Sequence, residues 1–189
     1  MKRNFLVVSI ALVVAIGSIV AIGSRVIPVA NAAANDSTIF NLVKSAGAVS
    51  CLKDAAHGRV TISDLGPVQN MHVEVADLPP NTDFTLFVIN TPTAPFVPAW
   101  YQGDLTTNAN GSGVLDVTGI FSSETFILNP GPVAVELHHL GLWFADPAQA
   151  VNAGCPGTVT PFDGDHNAGI QVLNTSQFPA ANGPLGRIH

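Results

Sequence analysis

Arg59-Val-Thr-Ile-Ser63 and Met71-His-Val-Glu-Val-Ala76 decide the fold. Val60 and Ile62 alternate with Arg59, Thr61 and Ser63. Met71, Val73 and Val75 alternate with His72, Glu74 and Ala76. A period of two places one set of side chains on a buried face and the other in water, so each stretch reads as a half-buried β-strand. Leu-Pro-Pro-Asn-Thr-Asp at 78–83 reads as a turn, with Pro setting φ and Asn and Asp offering side-chain bonds to the backbone. Residues 84–89 are apolar on both faces and predict a central strand. Pro92, Pro95 and Pro98 make the next stretch a rigid loop or an edge strand. A second turn over 108–113 leads into a strand at 114–117. Further strands are expected over 124–128 and 133–144, one helical turn over 147–153, and a last strand over 169–173. Upstream, Ile39, Leu42, Val43 and Ala46 repeat at helical spacing, which predicts a short helix near the start of residues 35–53. With 17 Gly and 14 Pro among 189 residues, turns are too frequent for a helical bundle. The expected fold is all-β: one antiparallel β-sandwich domain over residues 35–189.

The first 34 residues read as an export segment. Lys2 and Arg3 precede an uncharged, apolar run over 5–23, and the small residues of 30–34 provide cleavage signals. The mature chain would begin near Ala33 or Asn35 and act outside the cytoplasm, secreted or associated with the cell envelope. A run of this length is also close to the roughly 20 apolar residues that span a bilayer. An uncleaved anchor would hold the same domain on the same side, and the membrane form would then retain Met1. Loss of Lys2, Arg3 and Arg25 leaves four basic residues against thirteen acidic ones, a net charge of about −9. Nucleic acid and anionic lipid, which need clustered Lys and Arg, are thereby disfavoured as partners.

The only two cysteines are Cys51 and Cys155. In an oxidising compartment they are expected to pair, and no Cys-x-x-Cys is present to suggest redox chemistry. The Gly-rich nucleotide-binding patterns, the Gly-x-Ser-x-Gly elbow and His-Glu-x-x-His are all missing, which removes the commonest nucleotide, esterase and zinc-protease readings.

Ala76-Asp-Leu-Pro-Pro-Asn-Thr-Asp-Phe-Thr-Leu-Phe-Val88 resembles a recurrent hairpin of secreted β-sandwiches, found in extracytoplasmic domains of some bacterial anti-sigma regulators and in fibronectin-type modules. Proteins of the CHRD type share the turn, but carry a His-x-His strand that is missing here. Trp100-Tyr-Gln-Gly-Asp104, Glu124-Thr-Phe126, His139-Leu-Gly-Leu-Trp-Phe144 and residues 164–175 are similar to segments of a group of uncharacterised secreted bacterial β-sandwich proteins. The resemblance implies export and fold, and no activity.

Two constellations could hold a metal. Asp163-Gly-Asp165-His166-Asn167 places oxygen ligands at i, i+2 and i+4, the opening of a calcium loop. Ala168 and Asn174 then stand where an EF-hand needs Gly and Glu, so only an irregular site completed by other loops remains. The second constellation is His138 and His139. The apolar phase shifts by one between Leu137 and Leu140, which predicts a bulge able to re-aim one ring. Either histidine could then join Asp163, Asp165, His166 and Asn167 around zinc or copper. The plainer expectation is a core His139 bonded to the backbone, an exposed His138 beside Glu136, and a turn at 163–167. The pairs His72/Glu74 and Glu136/His138 each share a polar strand face, as solvated charges commonly do. Trp143, between Leu142 and Phe144, is expected in the core, and Trp100 in a loop or at the rim of a binding groove.

The expected function is therefore that of an exported binding or structural module without catalysis, needing no cofactor, whose partner is an extracellular ligand or envelope component. The alternative is a calcium, zinc or copper protein, a metal-dependent enzyme among the forms it could take.

Overall fold

Alternation becomes strand where it is cleanest, in β2 (His57–Asp64) and β3 (Gln69–Ala76). They pair antiparallel from His57↔Ala76 to Asp64↔Gln69, with Val60, Ile62, Met71, Val73 and Val75 buried. The computed structural model describes residues 37–121, 126–127, 135–161 and 167–188. The export segment and Asp163, Asp165 and His166 lie outside the described residues.

The remaining strands are β1 (Ser37–Lys44), β4 (Asp83–Ile89), β5 (Ala99–Thr106), β6 (Gly113–Gly119), β7 (Phe126–Ile127), β8 (Val135–Glu136), β9 (His139–Phe144) and β10 (Gln171–Asn174). A short helix, α1 (Pro147–Asn152), lies between β9 and β10, capped by the Asp146 side chain accepting from the Ala148 N–H. Eight strands form one antiparallel sheet in the order β5-β4-β9-β10-β1-β2-β3-β6, and β7 and β8 form a separate hairpin.

The sheet doubles over at β1. Residues 37–42 pair with β2, whereas Val43 and Lys44 pair with β10. One strand thus serves both halves of the sandwich. This corrects the helix expected at the start of residues 35–53. Phe40 and Leu42 are buried while Ile39 and Asn41 are exposed, a period of two. The helical spacing arises because Ala46 belongs to a separate 3-10 turn, Ala46–Ala48. At the opposite seam, the Gly103–Leu105 end of β5 lies edge to edge with β6, while Trp100 and Tyr101 at its other end are exposed. Leu115 covers Gly103, where a Cβ would meet its Cδ1 at 3.1 Å, and Leu105 covers Gly113 in the same way at 2.9 Å. Capping the two edges with leucines suits a sheet that must not pair with other chains.

The main core lies between the halves. Leu42, Val60, Ile62, Met71 and Val73 come from one side, and Phe84, Leu86, Leu140, Leu142, Phe144 and Val172 from the other. Each such side chain contributes roughly 1.5–3 kcal/mol when fully buried. The disulfide Cys51–Cys155 has formed, closing a separation of 104 residues and joining the β1–β2 connection to the α1–β10 connection.

The turn at 78–83 is locked by Thr107. Its hydroxyl donates to the Pro79 carbonyl at 2.6 Å and accepts from the Thr82 N–H at 3.1 Å. Gly111, at φ +78°, lies so close to the Leu78 carbonyl that a Cβ would come within 2.1 Å of its oxygen. The Leu-Pro-Pro turn therefore needs the Asn108–Gly111 loop beneath it, 30 residues downstream.

Candidate functional site

On the β5-β4-β9-β10 half, strand alternation sends every second residue away from the main core, and on β4, β9 and β10 these outward side chains are buried too. In register, Asp104, Thr85, Trp143 and Gln171 form one row across the four strands, and Tyr101, Phe87, Gly141 and Asn174 the next. Ile89 and His139 pair in a third. The stretch connecting β4 to β5 covers this face. Phe96 meets the Trp143 ring edge-on at 5.0 Å, and Phe87 does so at 5.6 Å. Trp143, Phe87, Ile89 and Ala168 make a second apolar cluster. Trp143 is fully buried, as the sequence predicted, but on the outer face rather than between the two halves. All six residues of β9 are buried for this reason.

Most of the buried polar side chains sit on or beside this face. The Gln171 Oε1 accepts from Ser45 Oγ at 3.1 Å and from Asn174 Nδ2 at 2.8 Å, and Asn174 Nδ2 also reaches the Pro92 carbonyl. Among the described residues, Thr85 Oγ1 and Gln171 Nε2, on either side of Trp143 in its row, have no hydrogen-bond partner. A buried polar group left without one costs about 1–3 kcal/mol. No sequence pattern marks these residues, because their burial depends on a covering loop.

His139 belongs to the same face. Its Nε2 lies 3.2 Å from the Ala180 carbonyl and its Nδ1 lies 2.8 Å from Thr175 Oγ1. A carbonyl only accepts, so Nε2 carries the proton and Nδ1 accepts from the threonine hydroxyl. Burial, chiefly, and the neighbouring His138 push the imidazole pKa below its ordinary value, against the opposing effect of the backbone bonds to Ala180 and Pro179. His139 is a neutral core histidine whose two nitrogens are both used by the fold. His138, between β8 and β9, has Nε2 at 2.6 Å from the Glu136 carboxylate, and its ring packs on Gly186. The phase shift at 137–140 is therefore a break between two strands, not the expected bulge. The ladder irregularities fall elsewhere, at Gln102 of β5 and between Gln171 and Leu173 of β10.

Asp163, Asp165, His166 and Asn167 fall between Thr160 and Ala168 in the sequence, and the Thr160↔Ala168 bridge forms the base of that segment. Gly169 N donates to the Phe144 carbonyl, so this base adjoins the end of β9 opposite His139. The two positions are five residue steps apart along the strand, about 16 Å at the usual rise. Asn167 is exposed beside the bridge. The described residues bring neither His138 nor His139 to this base, and among them no group of three or more His, Cys, Asp or Glu side chains converges as a metal site.

The open rim of the face is β5. Gln102 is an extra residue between the Leu86↔Gly103 and Phe87↔Tyr101 pairs. Tyr101 packs on Phe87 at 6.0 Å and donates its hydroxyl to Asp104 at 2.9 Å. Partial burial first, and the adjacent Asp104 carboxylate second, push the phenol pKa up. Trp100, Tyr101 and Val97 are 60%, 52% and 67% exposed. At the far end of the strand, hydrogen bonds from Thr106 and Gln149 hold the Asp83 carboxyl below its ordinary value.

Among the described residues, no helix is long and apolar enough to cross a membrane. No protein-family model matches the chain, and no curated protein matches it either.

Proposed function

We propose that the chain is an exported binding module that engages an extracellular ligand or an envelope component through the β5 edge, without catalysis. The observation that carries this reading is the exposure of Trp100, Tyr101 and Val97 together on one edge and its approach. Single exposed apolar residues are ordinary, but tryptophan and tyrosine grouped on a rim are typical of contact surfaces. The rim is also held rigid, by the Tyr101–Phe87 ring contact and the Tyr101–Asp104 bond. A preordered surface loses less conformational entropy on binding. The disulfide is consistent with an oxidising compartment outside the cytoplasm.

The test is a photo-reactive residue at position 100, with Thr118, exposed on β6, as the control position. In intact producing cells, a discrete adduct from position 100 and none from position 118 is expected. Equal labelling at both, or none at either, overturns the assignment of the β5 edge. A calcium, zinc or copper site on the Asp163–Asn167 loop, the alternative reading, would instead register as stoichiometric metal in the purified protein that is lost in Asp163→Asn/Asp165→Asn.

A further inference from the structure

The solvent face of the other half of the sheet carries a second histidine cluster. His72 of β3 stands opposite Asp116 of β6 in register, and its Nδ1 lies 2.8 Å from Asp116 Oδ1. On the same strand, two residues on, Glu74 Oε1 lies 3.9 Å from His72 Nε2. All three side chains are partly exposed. We propose that His72 and Glu74 form a two-ligand site for a borderline divalent cation, zinc(II) or copper(II), with Asp116 as the positioning residue.

Three features carry this. First, a carboxylate accepts only, so in the neutral imidazole Asp116 holds the proton on Nδ1 and leaves Nε2, 3.9 Å from Glu74 Oε1, with its lone pair unprotonated. A carboxylate bonded to the far nitrogen of a ligating histidine orients the ring and raises its basicity. Second, the gap fits an ion. With metal–nitrogen and metal–oxygen bonds of about 2.0–2.2 Å, a 3.9 Å separation gives a ligand–metal–ligand angle of about 140°, and closing it by about 0.5 Å reaches the tetrahedral value. Glu74 is exposed, so its side chain can make that movement while Asp116 holds the ring. The superficially similar pair His138 and Glu136 differs, because its 2.6 Å separation is a direct hydrogen bond with no room for an ion. Third, imidazole with carboxylate suits zinc and copper, and water would complete the shell on an exposed face. Arg59, opposite Glu74 on β2, is the one cationic side chain in register with the site.

The experiment is calorimetric titration of the purified protein with zinc chloride, with copper(II) spin resonance as a second readout. One saturable site per chain is expected. His72→Gln should weaken binding more than about tenfold and remove the copper–nitrogen coupling, and Asp116→Asn should weaken it by about tenfold or more while leaving the melting temperature unchanged. His138→Gln should bind like the parent. The proposal is overturned if the parent shows no saturable binding, if His72→Gln binds as the parent does, or if only Asp163→Asn/Asp165→Asn abolishes the signal.

Discussion

Replacing both bridge cysteines, Cys51→Ala with Cys155→Ala, should destabilise the protein by about 4–5 kcal/mol while leaving the native structure in place. The bridge spans 104 residues. In the chain-entropy treatment, opening a loop of that length returns about 16 cal/mol/K to the unfolded chain, or about 4.7 kcal/mol at 25 °C. The folded state has other ties near the bridge, from the β1–β2 connection to β10. The Ser45 N–H donates to the Val172 carbonyl, Ser45 Oγ meets Gln171, and Ala48 and Ala150 are both fully buried beside the bridge. The effect should therefore fall almost wholly on the unfolded state. Urea unfolding should show a lower midpoint and a steeper slope, because the uncrosslinked chain exposes more surface. The melting temperature should drop by roughly 10–20 °C for a unit of this size. Parent protein reduced under mild denaturant should match the double variant. A loss below about 2 kcal/mol, with an unchanged slope and native-like circular dichroism, would refute the entropic argument, whose predicted magnitude is large beside a typical stability of about 5–15 kcal/mol.

Two further outcomes test the fold. Because the folded-state pKa of His139 lies below its ordinary 6.5, its contribution is fully present above pH 6.5 and is lost as pH falls through the folded value. The unfolded chain takes up a proton that the native chain resists, at up to about 1.4 kcal/mol per pH unit. Stability measured from pH 7.5 to 5.5 should fall more steeply in the parent than in His139→Gln, and the His139 ring signals should titrate with a midpoint below the ordinary 6.5; a midpoint at or above it would contradict the assignment. Gly111→Ala should cost about 2 kcal/mol or more, because strain at positive φ is joined by collision with the Leu78 carbonyl. Gly66→Ala, at φ +91° with open space around it, should cost only about 1 kcal/mol. Equal midpoint shifts for the two variants would remove the close contact as the cause.

The parts of the fold legible in the sequence were those set by local periodicity and turn chemistry. β2 and β3 follow from alternation, and β4 from apolar residues on both faces. α1 follows from its Asp146 cap and Pro147. The helix expected at β1 fails because strand alternation running into a 3-10 turn imitates helical spacing over four positions. The shift at 137–140 does not distinguish a bulge from a break, because a break between two strands and a bulge displace the apolar phase identically.

The candidate sites were less legible, for a different reason. Trp143 and His139 announced burial but not on which face, since both faces of β9 are covered. His72 suggested Glu74, its neighbour on the strand. It could not suggest Asp116, 44 residues away, until the β3–β6 register was known.

The sequence alone determines strand propensity, turn positions and the sole possible intramolecular disulfide, because these depend on neighbours in the chain and on there being two cysteines. Only the tertiary structure decides that β1 serves both halves, that His139 is spent on Thr175 and Ala180, and that Asp116 orients His72. Those relations are set by register and by which loop covers which face, and they arise from packing between residues far apart in the chain.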